Sequence, residues 1–206
     1  MRIATGLTVG LIFILAVATT ASARAWRILP DGSGDAATIQ AGIDSAAVGD
    51  CVLLAAGTYT GVGNRSIDFL GKAITVTSKD GRDVTIIDCQ GLGFGFGFHS
   101  GEGASSVLSG VTIRNSTDLS AGAICCYGAS PTISNNSITG NHARGIDCQM
   151  YSSPIISYNI ISGNSSNAGA GICCGITSCS PTISHNIITG NSAIGGGGGI
   201  LCDNFM

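Results

Sequence analysis

Very few side chains in this sequence could do chemistry. Between residues 122 and 204 stand only two carboxylic acids, Asp147 and Asp203, with Arg144, His142 and His185 as the basic and imidazole side chains. Glycoside hydrolysis needs two carboxyl groups roughly 5–10 Å apart, one to donate a proton and one to attack or to activate water. Asp147 with Arg144 is the best acid–base combination available, and Asp203 is the one further acid downstream. An aspartate at a strand surface is more often simply solvated. Asp147, Arg144 and Asp203 are therefore candidates, and no catalytic site is identifiable from residue types alone.

The nine cysteines form the second chemically capable set. An Ile-x-Cys tripeptide recurs at 124–126, 146–148, 172–174 and 200–202. In a strand, residues two apart share a face, so Cys126, Cys148, Cys174 and Cys202 should point inward with the isoleucines and pack as small hydrophobes. Side-by-side Cβ atoms on in-register parallel strands suit disulfide dihedrals poorly. Cys125 and Cys173 should face outward, in a column with Asp147 and Leu201. An odd number of cysteines in a secreted chain implies disulfides with at least one thiol left over. The pairing to test first is Cys173 with Cys179, which follows on the adjoining loop. Zinc would want Cys-x-x-Cys or His spacing, whereas Cys125-Cys126 and Cys173-Cys174 are adjacent residues facing opposite ways. No metal or cofactor site is expected. The glycine run at 195–199 lacks the aspartates of a calcium-binding roll and reads as a flexible loop.

These residues are positioned by a repeat. The phrase Pro-Thr-Ile-Ser-Asn-Asn-Ser-Ile-Thr-Gly-Asn at 131–141 returns as Pro-Ile-Ile-Ser-Tyr-Asn-Ile-Ile-Ser-Gly-Asn at 154–164 and Pro-Thr-Ile-Ser-His-Asn-Ile-Ile-Thr-Gly-Asn at 181–191. Residues 107–116 are a degenerate earlier copy, with Leu108 and Ile113 in the places of Ile133 and Ile138. A period near 25, without the leucines of a leucine-rich repeat or the 3.6 spacing of helical repeats, leaves an all-β parallel β-helix with three short strands per coil. Ile133/Ile156/Ile183 and Ile138/Ile161/Ile188 become internal stacks. Asn136/Asn159/Asn186 should lie at a corner, where asparagine tolerates left-handed backbone and amides can bond from coil to coil. Gly140/Gly163/Gly190 mark the next corner. Length variation falls between the phrases, so insertions map to loops.

Upstream, Ile39, Ile43 and Ala46 at i, i+4, i+7 predict a short amphipathic helix over residues 36–47 with Thr38 as N-cap, followed by a strand at 51–54. Residues 1–23 have the form of a secretory signal peptide: Arg2, an apolar segment at 7–17, and Ala21-Ser22-Ala23 before the cut. The apolar run is too short to span a bilayer. The expected organisation is a signal peptide at 1–23, an N-terminal cap at 24–66, and coils from 67 to 206.

Composition narrows the partners. Lysine occurs only at 72 and 79, and after loss of Arg2 eight basic residues face twelve acidic ones, so the mature charge is near −4. A basic surface for nucleic acid or anionic lipid is lacking. The expectation is no nucleic-acid partner and no membrane association once the signal is removed.

The Ile-Ser-Asn-Asn-x-Ile-x-Gly-Asn repeat resembles the right-handed parallel β-helix proteins of the pectin-lyase-like superfamily, from about Trp26 to the end. The opening Asp-Gly-Ser-Gly-Asp-Ala-Ala-Thr-Ile-Gln-Ala-Gly-Ile at 31–43 looks like the start of pectin methylesterases and many secreted bacterial β-helix proteins. The resemblance implies a right-handed, single-stranded parallel β-helix whose short N-terminal helix, through Ile39 and Ile43, caps the open coil end. It does not carry esterase activity to this chain. The functional expectation is a secreted or cell-surface scaffold, the periplasm being a further location, that contacts polysaccharide or a surface glycan. The alternatives are a carbohydrate-active enzyme (lyase, hydrolase, esterase or epimerase) with its site partly outside this segment, and a stalk displaying a downstream module. Because the sequence stops just after a strand at Met206, end-to-end pairing or a further C-terminal part is also expected.

Overall fold

A computed structural model describes residues 22–175 and 178–203. Most of the expected signal segment and the chain end at Met206 lie outside the described residues. The rest winds as a right-handed parallel β-helix of about seven turns. Its strands are two to four residues long, all but Ser165–Ser166 and Ser192–Ala193 built on a β-branched or aromatic residue, and each pairs in parallel with the equivalent strand one coil away. One sheet of seven strands runs from Ala25–Ile28 to Thr182–Ser184; two sheets of six run from Ile67–Asp68 to Ile200–Cys202 and from Gly57–Tyr59 to Ile187–Thr189.

Register follows the repeat. Leu108, Ile133, Ile156 and Ile183 pair in sequence, as do Ile113, Ile138, Ile161 and Ile188. The core changes character along the axis. Phe69, Phe96 and Phe98 fill the earlier coils, with the Phe69 and Phe98 rings 4.3 Å apart and Phe96 edge-on to Phe69 at 6.2 Å. Isoleucine and cysteine fill the later ones.

The helix spans Ile39–Ser45, shorter than the spacing predicted. Thr38 caps it by accepting the Ala41 amide, and Ala46 already has extended backbone. Seven residues are too few for an isolated helix. It is held by Ile39 and Ile43, both fully buried over the first coil. Ala25–Ile28 and Cys51–Leu54, within the expected cap, are the first two strands of the seven-stranded sheet.

The corners correct one expectation and extend another. Left-handed backbone belongs to the residue before each ladder asparagine: Asn135, Tyr158 and His185 have φ of 60°, 58° and 56°. That frees Asn136, Asn159 and Asn186 to point inward. Asn136 Nδ2 donates to Asn159 Oδ1 at 3.2 Å, and Asn159 Nδ2 to Asn186 Oδ1 at 3.0 Å. The same oxygens accept backbone amides, and the same nitrogens also donate to Leu108 and Ile133 carbonyls. A second, unanticipated ladder runs through Asn141, Asn164 and Asn191, with amide bonds of 2.8 and 2.9 Å. Gly140, Gly163 and Gly190 turn the chain just before it, at φ near 63°. Each ladder rung satisfies backbone groups that would cost about 1–3 kcal/mol if buried bare.

Candidate functional site

The loops that leave the second asparagine ladder differ in length. After Ser116, which occupies the ladder position, the loop is residues 117–123; the following coils carry 142–145, 165–171 and 192–199. The four-residue loop therefore sits between two loops of seven, with a loop of eight one coil beyond. A short loop between long ones leaves a notch, and the structure has one of about 260 Å³ there. His142 of the short loop lines it, with Leu119 from the earlier coil and Ser165, Ser166, Asn167, Ser192 and Ile194 from the later two. The downstream wall is stiffened by a two-stranded sheet, Ser165–Ser166 with Ser192–Ala193. Leu119 and Ile194 are largely exposed, and no carboxylate lines the space.

The same long loops fold back over the sheet that ends in Ile200–Cys202. Gly122, at φ 71°, lies so close that an added Cβ would meet the Arg144 carbonyl at 2.9 Å and the Asp147 Cβ at 3.4 Å. Gly169, at φ 63°, sits equally tightly on the Cys173 Cβ. The predicted outward column is present: Cys125, Asp147, Cys173 and Leu201 are in register. It is not solvated, because Asp147 is fully buried and Cys173 nearly so.

Asp147 Oδ2 accepts from Arg144 Nη1 at 2.9 Å and from Gln149 Nε2 at 2.6 Å, while Oδ1 has no hydrogen-bond partner within bonding geometry among the described residues. Burial pushes the carboxyl above the usual range, against the pull of the Arg144 charge and the Gln149 amide. A recess of about 120 Å³ opens beside it, lined by Arg144, Gln149, Cys173 and Gly175. Burial also raises the flanking thiols, Cys125 to about 12 and Cys173 to about 11, so neither is a ready nucleophile.

Arg144 and Asp147 are thus brought together, and Asp203 is not brought to them. The Asp203 amide bonds to the Cys174 carbonyl, as Gly175 bonds to that of Cys148, which places Asp203 in line with Gly175 rather than Cys173. Two coils and two residues of offset put the Asp147 and Asp203 Cα atoms roughly 12 Å apart, at ~4.8 Å per coil and ~3.3 Å per residue. That backbone separation is wider than the ~5–10 Å between carboxyl groups that glycoside hydrolysis uses.

The Cys173–Cys179 bridge is likewise not formed. Cys173 is a free thiol on the outer face, whereas Cys179 packs with the internal core and donates to the Cys148 carbonyl at 3.4 Å. The inward column Cys126, Cys148, Cys174 and Cys202 is in register as the spacing implied, buried except for Cys202. The glycine run at 195–199 is not a loose loop: its carbonyls accept four consecutive amides from residues 169–172. Among the described residues no group of three or more His, Cys, Asp or Glu side chains could hold a metal ion, and no helix is long and apolar enough to cross a membrane.

Residues 50–205 match the family model described as the right handed beta helix region, and the chain belongs to that family. No curated protein and no solved structure matches the chain.

Proposed function

From membership of the right-handed β-helix family, we propose that this chain is a secreted or cell-surface scaffold that binds neutral carbohydrate in the notch over the short loop. The observation that carries the reading is the lining of that notch. Three serine hydroxyls, an asparagine amide and an imidazole face two exposed aliphatic side chains across about 260 Å³. A sugar ring has hydroxyl edges and apolar C–H faces, so this mixture of groups matches it. The volume lies just below the ~300–1,000 Å³ of drug-sized ligand pockets, which suits one or two sugar units at a glycan end. The absence of lining carboxylates favours a neutral ligand over a cationic one.

The enzyme alternative has less support: Asp147 is sealed beneath loops, and Asp203 is out of reach of it. Secretion rests on the charged, apolar and small-residue order of the first 23 residues.

A glycan array probed with the full chain tests the reading. Binding to one or more neutral oligosaccharides is expected, weakened at least about tenfold by Ser192→Tyr, which fills the notch. No binding above background on the array overturns it.

A further inference from the structure

The first strand begins at Ala25, directly after the expected cleavage site, and the residues on either side of the Ala23–Arg24 bond are exposed. The backbone of Arg24 is nevertheless fixed. Its nitrogen donates to Asp50 Oδ1 at 2.8 Å, and its carbonyl accepts the Cys51 amide at 2.8 Å. Asp50 Oδ2 accepts from the Trp26 ring nitrogen at 3.1 Å and the Ala47 amide at 2.9 Å. One carboxylate, only 8% exposed, therefore gathers the start of the first strand and the exit of the capping helix. Among the described residues no Lys, Arg or His side chain forms an ion pair with it. The Arg24 guanidinium lies instead over the Trp26 ring, 3.6 Å from its centre.

We propose that Asp50 is a docking site for the N-terminus that processing creates: hydrolysis of the Ala23–Arg24 bond leaves the Arg24 α-ammonium paired with the Asp50 carboxylate, and the pair clamps the first strand to the capping helix. The cut rests on the secretion reading, and the clamp is independent of the carbohydrate one.

The chemistry is an amide hydrolysis catalysed by the signal peptidase of the secreting cell. The water oxygen ends on the new Ala23 carboxylate, and both water protons end on the Arg24 nitrogen. That nitrogen already lies at the distance of a charge-assisted hydrogen bond, so a neutral donor becomes a cationic one without moving. Asp50 is ready for it: the Arg24 and Ala47 amides and the Trp26 ring nitrogen hold its carboxyl below the ordinary range, so it is ionised at neutral pH. The other charges nearby are engaged elsewhere. The Arg24 guanidinium faces Trp26, Lys72 Nζ donates to the Ile43, Asp44 and Ala46 carbonyls, and Asp44 accepts from Gln40. Burial and the Asp50 charge push the adjoining Cys51 thiol up, so it stays neutral. Pairing with a carboxylate raises an amine. The added stability is therefore full below the ~7.7–8.0 of a free N-terminus and is lost as pH rises through the folded value.

Two measurements test this. The intact mass of the chain secreted by a host expressing residues 1–206 should correspond to a start at Arg24. In chain 24–206 made directly, pH-dependent labelling should place the α-amine at least about half a pH unit above ~7.7–8.0. Acetylating that amine keeps an N–H donor but removes the charge, and should lower the folding equilibrium constant at least about threefold at pH 6. Asp50→Asn should return the amine to its ordinary value and leave acetylation without effect. A chain that keeps Ala23 as its first residue moves the charge away from an intact Asp50; its amine should also be ordinary, and it serves if Asp50→Asn does not fold. An ordinary amine in chain 24–206, or a raised one in either control, overturns the pair. Secreted chain starting at another residue overturns the docking of Arg24 while leaving secretion standing. Chain retained in the cell with residues 1–23 attached overturns the secretion reading, and the cut with it.

Discussion

Upstream of residue 117 the coils close their corners with polar side chains used once each. Asp50 accepts from the Arg24 and Ala47 amides and the Trp26 ring nitrogen. Glu102 accepts the Gly71 and Ser100 amides, and Lys72 Nζ donates to three carbonyls at the end of the helix. Downstream, two asparagine ladders do the same work with a single residue type repeated. The buried aromatic rings, Tyr59, Phe69, Phe96 and Phe98, all lie upstream among aliphatic side chains, whereas the downstream core is isoleucine, cysteine and alanine. The contrast teaches that the same coil can be specified residue by residue or by translation. In the first case each substitution is local, whereas in the second the partner of every rung is another rung.

The largest effect should come from breaking the individually specified half. Phe96→Ala removes a fully buried ring packed on Phe69 and should cost about 3–5 kcal/mol, read as a shift in chemical denaturation midpoint. Next, Asn159→Leu should cost about 3 kcal/mol, because the Asn136 amide and the Ile133 carbonyl lose their partners together. The same change at Asn186, whose rung is only partly buried, should cost less. Equal losses at the two positions would show that the ladder is not cooperative.

A third comparison sets one carboxylate from each half against the other. Hydrogen bonds from the Arg24 and Ala47 amides and from Trp26 hold Asp50 below its ordinary range, whereas burial holds Asp147 above it. Asp50 therefore contributes stability present above the unfolded carboxyl range and lost as pH falls through its folded value. Asp147 has the opposite sign: its contribution is full below the unfolded value and is lost as pH rises through its folded one. Thermal melts of Asp50→Asn and Asp147→Asn against the wild type should diverge in opposite directions between about pH 3 and 6. Parallel curves would remove the distinction.

The smallest effect belongs to the outer corner. Tyr158 and His185 rings stack at 4.8 Å and 12°, both on left-handed backbone. A double-mutant cycle to alanine should give a coupling of about 0.5 kcal/mol, the low end for aromatic pairs because Tyr158 is more than half exposed.

The periodic half was the legible half. Ile133, Ile138 and Asn136 recur at fixed offsets, so their columns follow from spacing alone. The helix was legible from Ile39 and Ile43, although its ends were not, since Ala46 is extended. The second ladder was written in the Gly-Asn pairs at 140–141, 163–164 and 190–191, but only the glycines were read. The burial of Asp147 was not legible, because strand alternation placed it outward and the cover comes from loops two coils apart in sequence. The same holds for Cys179, which alternation does not govern. The notch had a signal in the loop lengths, four residues between two loops of seven, that spacing rules for strands do not weigh.

That length series has an evolutionary consequence. A notch made from a shortfall in chain, rather than from particular side chains, can be relocated by deletion. Trimming a different loop would shift the depression along the axis by one coil, about 4.8 Å, while the ladders and isoleucine stacks beneath stayed untouched. The coil behaves as a ruler whose marks are loop lengths, and the depression can be moved along it without renegotiating the fold.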